Sequence, residues 1–313
     1  MKQTKIAIIG PGSLGILFAT RIWQQFQNVA ILDYKKERAE RLASKGLTLI
    51  EQGETEIRAF PMVSTEPRHI GEQDFVLVLV KAFQTEAIVD SLRSLCGPKT
   101  LVISLQNGIG AGDIIAKEVS DGNLALGVTM HGANKNDEGT AIHAGSGLTI
   151  LGKYQPGPLR DDRLLQFARI LETAGFQSEV VQDIYPFLWK KLLVNVGINP
   201  ITAITGLKNG QILNYSHLLA IQEQAVREGF EVMLRLGKDI GMDFQQLLDF
   251  VRQVCKDTGD NISSMLQDRL RGGPTEIDFI NGAVVRLARK AGLSVPVNET
   301  LCHLVEFYSE VSG

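Results

Sequence analysis

Residues 5–15 read Lys5-Ile6-Ala7-Ile8-Ile9-Gly10-Pro11-Gly12-Ser13-Leu14-Gly15, and this stretch decides the fold class. A short β-branched run passes straight into glycines spaced G-x-G-x-x-G, and Ser13 to Gln25 then carries helical periodicity. Each glycine has a task in such a turn. Gly10 permits the tight reversal, Gly12 lets backbone approach a pyrophosphate, and Gly15 lets the helix pack close to the strand. The helix N-terminus offers N–H groups that have no partner within the helix, a natural seat for two phosphates. Pro11, Ser13 and Leu14 complete the turn and count with the glycines as candidate dinucleotide contacts. The spacing alone is a weak signal, and an ordinary strand–helix turn is the alternative. The preceding strand and the following helix give it weight.

Working outward, Val29–Leu32 is a second strand, and Lys36–Lys45 is a helix with a charged face that ends at Gly46. Together they make a βαβ unit. Phe75–Val80 and Thr100–Leu105 are continuously apolar, as strands covered on both faces are. Glu86–Leu95 is helical between them. Ala125–Thr129 and Leu148–Leu151 are later strands of the same sheet, Gly152–Pro158 is a loop, and a helix over Arg160–Gly175 precedes a strand over Gln177–Val181. From Pro186 onward only helical periodicity remains, over Phe187–Ile198, Gly210–Gly237, Phe244–Asp257, Thr275–Gly292 and Val297–Val311. Pro274 and Pro296 stand where first-turn prolines belong. The expected architecture is α/β: an N-terminal Rossmann-type, doubly wound, mostly parallel sheet, then an all-helical C-terminal domain. The boundary falls near Asp183, giving a dinucleotide-binding domain over 1–183 and a helical, substrate-binding and catalytic domain over 184–313.

Composition excludes several classes. Apolar residues make up 44% of the 313, enough for two cores, and the formal net charge of -3 provides no field for nucleic acid or an anionic membrane. Cys96, Cys255 and Cys302 form no CxxC pair and no metal spacing with the five histidines, which fits a reducing compartment and no metal. The longest strongly apolar run, Phe75–Val80, is too short to span a bilayer, and the glycines of residues 10–15 interrupt what would be a signal peptide. The expectation is a cytoplasmic protein acting on a small molecule. A homodimer is compatible with the sequence, which does not fix an oligomeric state.

Asp33 ends the second strand, 18 residues after Gly15. A carboxylate there can accept both ribose hydroxyls of NADH and would repel a 2′-phosphate. Lys35 and Lys36 follow at once and could pair with such a phosphate, so NADPH stays open; Asp33 as a helix cap is the plainer reading. Ligands of open α/β sheets bind beyond the carboxyl ends of the strands. Lys81 follows Phe75–Val80, and Asn107 follows Thr100–Leu105 with Gln106 between, so both belong at that edge. Lys81 as a solvated lysine and Asn107-Gly108 as a turn pair are the bland alternatives.

In Trp189–Pro200, Lys191, Asn195 and Asn199 are spaced i, i+4, i+8. On a helix they form one polar line up to about 12 Å long among mostly apolar neighbours. Buried amides need partners and a buried lysine needs an anion, so a small oxygen-rich anion would satisfy all three; a solvent-facing stripe is the alternative. Pro200 is expected to break or bend the helix after Asn199 and open its last carbonyls. Ser263–Asp268 and Pro274–Asp278 add hydroxyls and a carboxylate, Glu276, at a helix start, where Ser264 could be a cap and Glu276 a dipole partner.

IGPGSLG, VLVKAFQT, LQNGIG, WKKLLVNVGINPITAITGLKNGQ, SSMLQD and PTEIDFING occur in that order over nearly the whole chain. Together they resemble the ketopantoate reductase family, and the combination is far more specific than any single segment. The resemblance implies reduction of 2-dehydropantoate to (R)-pantoate in pantothenate biosynthesis. It implies Lys191 as the catalytic lysine and Asn195, Asn199, Asn209 and Ser264 as substrate contacts. Glu276 matches the carboxylate beside lysine and cofactor, and Gly10, Gly12, Gly15, Lys81 and Asn107 match dinucleotide contacts. One departure stands out: the family usually places an arginine just after the second strand for the 2′-phosphate of NADPH, where this chain has Asp33-Tyr34-Lys35.

The expected chemistry is hydride transfer to C2 of a keto acid in a cleft between the domains, with Lys191 as the acid and Glu276 supporting its charge. A reductase of another 2-keto acid or carbonyl compound, a dinucleotide sensor without turnover, and a hydroxyacyl or sugar-acid dehydrogenase are the rivals. The last would need a different catalytic group. His131 and His143 stand in loops of the sheet domain, and the sequence puts no constellation around either.

Overall fold

Ile6–Ile9 is buried throughout and pairs in parallel with Val29–Leu32 on one side and Gln73–Val78 on the other. It is an interior strand of an eight-stranded sheet in a computed structural model that describes residues 4–51, 55–157 and 161–311. From edge to edge the strands are Ser178–Val180, Thr149–Lys153, Leu124–Thr129, Cys96–Ser104, Gln73–Val78, Ile6–Ile9, Val29–Leu32 and Met62–Ser64. All neighbours are parallel except Thr149–Lys153 against Leu124–Thr129, so the sheet is mostly parallel as expected. Helices Ser13–Phe26 and Asp162–Thr173 press Phe18, Phe167, Leu164 and Leu171 into one core with Ile6, Ile8, Phe75 and Phe176. Phe18 and Phe176 stack at 4.3 Å. Fully burying a side chain of this size stabilises by roughly 1.5–3 kcal/mol. Arg160 and Pro158, which the sequence places in a helix start and a loop, lie outside the described residues; Asp161 caps the helix that follows.

The chain divides into two compact units, Met1–Gln106 with Ala111–Ile184, and Asn107–Gly110 with Tyr185–Gly313. The short segment Asn107–Gly110 thus leaves the sheet unit and packs with the helical one, which the linear reading does not anticipate.

A second, four-stranded sheet was not expected. Its order is Glu56–Ala59, Leu47–Ile50, Thr140–Gly145 and Gly132–Asp137, and it packs against Ser13–Phe26. Leu47–Ile50 and Thr140–Gly145 alternate between covered and more open positions, but Glu56–Ala59 has only four residues with one buried, and the four strands are scattered along the chain between elements of the main sheet. This sheet also corrects the reading of the two histidines. His131 Nδ1 and His143 Nε2 are 3.1 Å apart, His143 Nδ1 meets Glu51 Oε2 at 2.7 Å, and Arg21 Nε donates to Glu51 Oε1 at 2.7 Å. Burial, then the neighbouring His143 and Arg21, push the His131 imidazole down to about 4, against the pull of Glu51.

In the helical unit, Tyr185–Thr205 is the central helix, surrounded by Ser216–Arg235, Phe244–Asp257, Ser264–Leu270 and Pro296–Val311, with Asn281–Ala291 in the same core. Pro296 is the first residue of its helix. Three expectations are corrected. Pro200 does not break its helix, which runs on to Thr205, although it opens a preceding carbonyl to another partner as expected. A proline donates no hydrogen bond, so the Val196 carbonyl four residues back loses its helical partner; Asn281 Nδ2 supplies one at 3.4 Å. The helix expected over Thr275–Gly292 begins only at Asn281, after a 3₁₀ turn over Ile277–Phe279, and Pro274 is outside it. Here the Phe279 carbonyl bonds the Ile109 N–H at 3.0 Å, and Ile280 leaves the helical region. The helix expected over Gly210–Gly237 is likewise split. Asn209 and Gly210 give their N–H groups to the carbonyls of Asn261 and Gly259, Asn209–Asn214 forms 3₁₀ turns, and extended Tyr215 precedes Ser216–Arg235.

Candidate active site

The glycine turn is built as its spacing requires. Gly10 has φ +100°, and a Cβ there would lie 2.7 Å from Val80 Cγ1. A Cβ on Gly15 would overlap the Gly10 carbonyl oxygen, so only glycine brings the helix this close to the turn. A Cβ on Gly12 would meet nothing within 4 Å, so the protein leaves space over this backbone. Pro11 is buried beneath it, whereas Ser13 and Leu14 are half-buried at the helix start. An open backbone cradle at a helix N-terminus fits a pyrophosphate.

The sheet's carboxyl edge holds the next residues. Gln106 is buried and donates through Nε2 to the Val80 carbonyl at 3.1 Å and to Thr85 Oγ1 at 2.8 Å, while Ser104 Oγ donates to its Oε1 at 2.9 Å. It ties the end of one strand to the turn after the next and so fixes the loop that carries half-buried Lys81. Nothing in the spacing marks this role, because a glutamine before Asn-Gly looks like part of the turn.

Asp33 is engaged by a neighbouring arginine. Its side chain has no exposed surface, Arg38 Nε and Nη2 donate to its two oxygens at 2.6 and 2.5 Å, and the Lys35 N–H donates at 3.1 Å. It does not cap the helix over Lys36–Lys45 from the N-cap position, which is Lys35. Arg38 was missed because nothing in the spacing of an arginine inside a charged helix marks it as facing back to a strand end.

In the helical unit, Lys191, Asn195 and Asn199 lie on the Tyr185–Thr205 helix as the spacing predicts. Lys191 and Asn195 are half-buried and Asn199 is buried at 6% exposure, so the line is not a solvent-facing stripe. Burial pulls the Lys191 ammonium down to about 8, opposed by the Glu276 carboxylate, which favours the charged form. Glu276 is 4% exposed and begins the 3₁₀ turn over Ile277–Phe279, and Asn107 Nδ2 donates to its Oε2 at 3.2 Å. Lysine, glutamate and asparagine thus meet from three distant points of the chain. Asn209 is buried; its Nδ2 donates to Thr258 Oγ1 at 2.9 Å, and its Oδ1 is buried with no partner among the described residues. Ser264 is half-buried and is not the helix cap: Ser263 accepts the Leu266 N–H at 3.1 Å and receives a bond from Thr202 Oγ1 at 2.7 Å. Among the described residues no group of histidine, cysteine and carboxylate side chains is arranged to hold a metal, and no helix is long and apolar enough to cross a membrane.

A doubly wound sheet with an open glycine turn at its first strand end, joined to a helical unit that desolvates one lysine beside one carboxylate, defines a dinucleotide-binding oxidoreductase of two units. The pattern described as Ketopantoate reductase PanE/ApbA matches residues 6–156, and its C-terminal counterpart matches residues 183–309. The chain belongs to the ketopantoate reductase family. The 2-dehydropantoate 2-reductase of Archaeoglobus fulgidus is 34% identical over 97% of this chain and 98% of its own length. That of Halobacterium salinarum is 33% identical over 96% and 97%. Among solved structures, the ternary complex of D-mandelate dehydrogenase with NADH and anilino(oxo)acetate superposes with a TM-score of 0.92 at 26% identity, covering 99% of both chains.

Proposed function

We propose that this protein reduces 2-dehydropantoate to (R)-pantoate with a reduced nicotinamide dinucleotide, the reduction that pantothenate biosynthesis requires. The observation that carries the reading is the Lys191 ammonium, drawn down to about 8 by burial and kept charged by Glu276, on the same helix as Asn195 and Asn199. The dinucleotide, when bound, supplies the hydride that reaches C2 of the keto acid. The turn over Gly10–Gly15 holds its pyrophosphate, and Lys81 and Asn107 hold its further polar groups.

The protein's own part is orientation and charge. As C2 takes up hydride, negative charge grows on the carbonyl oxygen. The Lys191 Nζ–H donates to that oxygen and transfers its proton as the alkoxide forms. An ammonium near pH 8 is a better acid than one in water and is still mostly protonated at neutral pH. Glu276 keeps the proton on the lysine before reaction, and the Asn107 side chain fixes the carboxylate. Asn195, Asn199, Asn209 and Ser264 orient the hydroxyl and carboxylate groups of the substrate, and the orphaned Asn209 Oδ1 is an acceptor suited to a substrate hydroxyl.

One observation favours a second reading, a reductase of a bulkier 2-keto acid: the close superposition on D-mandelate dehydrogenase. Steady-state kinetics on 2-dehydropantoate and on phenylglyoxylate, with wild type and Lys191→Ala, separate them. A higher kcat/KM for 2-dehydropantoate, lost in the variant, supports the proposal. A higher value for phenylglyoxylate selects the second reading. Unaltered turnover in Lys191→Ala refutes the assigned acid.

A further inference from the structure

Two serines stand side by side where the helix Ser264–Leu270 begins, and residue type does not say which of them caps it. The structure gives the cap to Ser263. Its Oγ accepts the Leu266 N–H at 3.1 Å, so Ser264 becomes the first helical residue and its hydroxyl is not spent on the cap. A slip of one residue would make Ser264 the cap and turn its hydroxyl to the Gln267 N–H, the donor three positions on.

Thr202 is the group that reaches this cap from outside. It lies inside the helix Tyr185–Thr205, two residues past Pro200 and three past Asn199, with no exposed surface. Its Oγ1 is 3.1 and 3.0 Å from the carbonyl oxygens of Ile198 and Asn199, which turn the side chain back along the helix. It donates to Ser263 Oγ at 2.7 Å, the shortest of its three contacts. Ser263 Oγ is thereby held between the Thr202 hydroxyl and the Leu266 N–H, and Ser263 itself is buried. The far end of the short helix is tied to the same long one, where Arg269 Nη1 donates to the Ile204 carbonyl at 3.3 Å.

We infer that Thr202 is a positioning residue for the reduction: by holding Ser263 in the cap, it keeps the Ser264 hydroxyl available to the substrate. It does not touch the substrate itself. Because Thr202 follows Asn199 by one turn, the same hydroxyl also fixes where Ser264 stands relative to that asparagine. The inference goes beyond the proposed function and rests on its reading of Ser264 as a substrate contact.

Steady-state kinetics with the keto acid that wild type reduces best, run beside thermal unfolding, test it. Thr202→Val keeps the outline of the side chain and removes the hydroxyl. Its KM is expected to rise about fivefold to tenfold, as for one lost hydrogen bond to substrate, with kcat within about twofold and dinucleotide affinity unchanged by calorimetry. Thr202→Ser keeps the hydroxyl, and its KM should stay within about twofold of wild type even where loss of the buried methyl lowers Tm. Thr202→Val combined with Ser264→Ala should have a KM no higher than Ser264→Ala alone, because both changes remove the same contact. If Thr202→Val does not fold, Ser263→Ala takes its place in the cycle with the same expected KM, since only Ser264 is then left to cap. A wild-type KM in Thr202→Val or in Ser263→Ala, independent effects in the double variant, or a KM in Thr202→Ser that rises as in Thr202→Val overturns the inference and leaves the proposed reaction standing. A wild-type protein that reduces no keto acid overturns both.

Discussion

Asn281 Nδ2 donates at 3.4 Å to the carbonyl of Val196, the acceptor that Pro200 leaves without a helical partner. The same amide donates to Asn298 Oδ1 at 2.9 Å, and Asn298 Nδ2 donates to Glu228 Oε2 at 2.8 Å and to the Ala225 carbonyl at 3.0 Å. Glu228 in turn accepts the N–H groups of Val297 and Asn298, each at 3.0 Å, at the start of the last helix. A fully buried polar chain thus lets the helix of Lys191, Asn195 and Asn199 pass through a proline.

Replacing Asn281 by leucine keeps the branched outline of the side chain and removes the donor. The Val196 carbonyl and Asn298 Oδ1 would both be buried unsatisfied, at a cost of about 2–4 kcal/mol. Urea unfolding measures it, and a loss below about 0.5 kcal/mol would show that this amide does not support the proline.

The alkaline limb of kcat/KM is expected near pH 8, where Lys191 gives up its proton and ceases to be an acid. Glu276 raises the lysine's proton affinity, so Glu276→Gln should move that limb to lower pH while lowering turnover. A pH profile that is flat up to 10, or a limb that moves to higher pH in the variant, would contradict the coupling.

Gly12→Ala and Gly15→Ala are expected to fail differently. The Gly12 backbone has φ -75° and an added Cβ meets no protein atom, so stability should stay within about 0.5 kcal/mol while dinucleotide affinity falls about tenfold or more. In Gly15→Ala the Cβ strikes the Gly10 carbonyl, and stability and affinity should fall together. Thermal unfolding alongside calorimetry distinguishes the two; a Gly12→Ala protein that binds as before would remove the ligand from this turn.

Acid should weaken the sheet unit through His131. Its folded value, near 4, lies below the ordinary 6.5, so the neutral imidazole contributes stability that is complete above about pH 6.5 and lost as pH falls toward 4. The loss should approach about 2 kcal/mol by pH 5. Denaturant midpoints of wild type and His131→Phe, compared between pH 7.5 and 5, should show a weaker pH dependence in the variant, whose ring still meets Phe18 and Phe176. Identical slopes would place the acid sensitivity elsewhere.

Much of the site was legible in one dimension because its requirements are local. A strand–glycine–helix turn needs small residues at fixed offsets, and backbone sterics alone enforce them at Gly10 and Gly15. The line of Lys191, Asn195 and Asn199 follows from 3.6 residues per turn. The helix over Thr275–Gly292 failed because periodicity cannot register that the Phe279 carbonyl would be claimed by Ile109, 170 positions earlier in the chain. The small second sheet was missed because it is assembled from two hairpins some eighty residues apart, whose partly exposed strands carry polar residues such as Thr48, Glu56, Arg58 and His143.

The sequence by itself determined the order of most strands of the main sheet, the glycine turn and the polar face of one helix, since each is set by neighbours a few residues apart. Only the tertiary structure decided which charges meet: Glu276 with Lys191, Asn107 with Glu276, Arg38 with Asp33, Glu51 with His143. An ion pair or buried hydrogen bond depends on distance and on the exclusion of water, and the folded chain sets both by bringing together residues that no sequence spacing links.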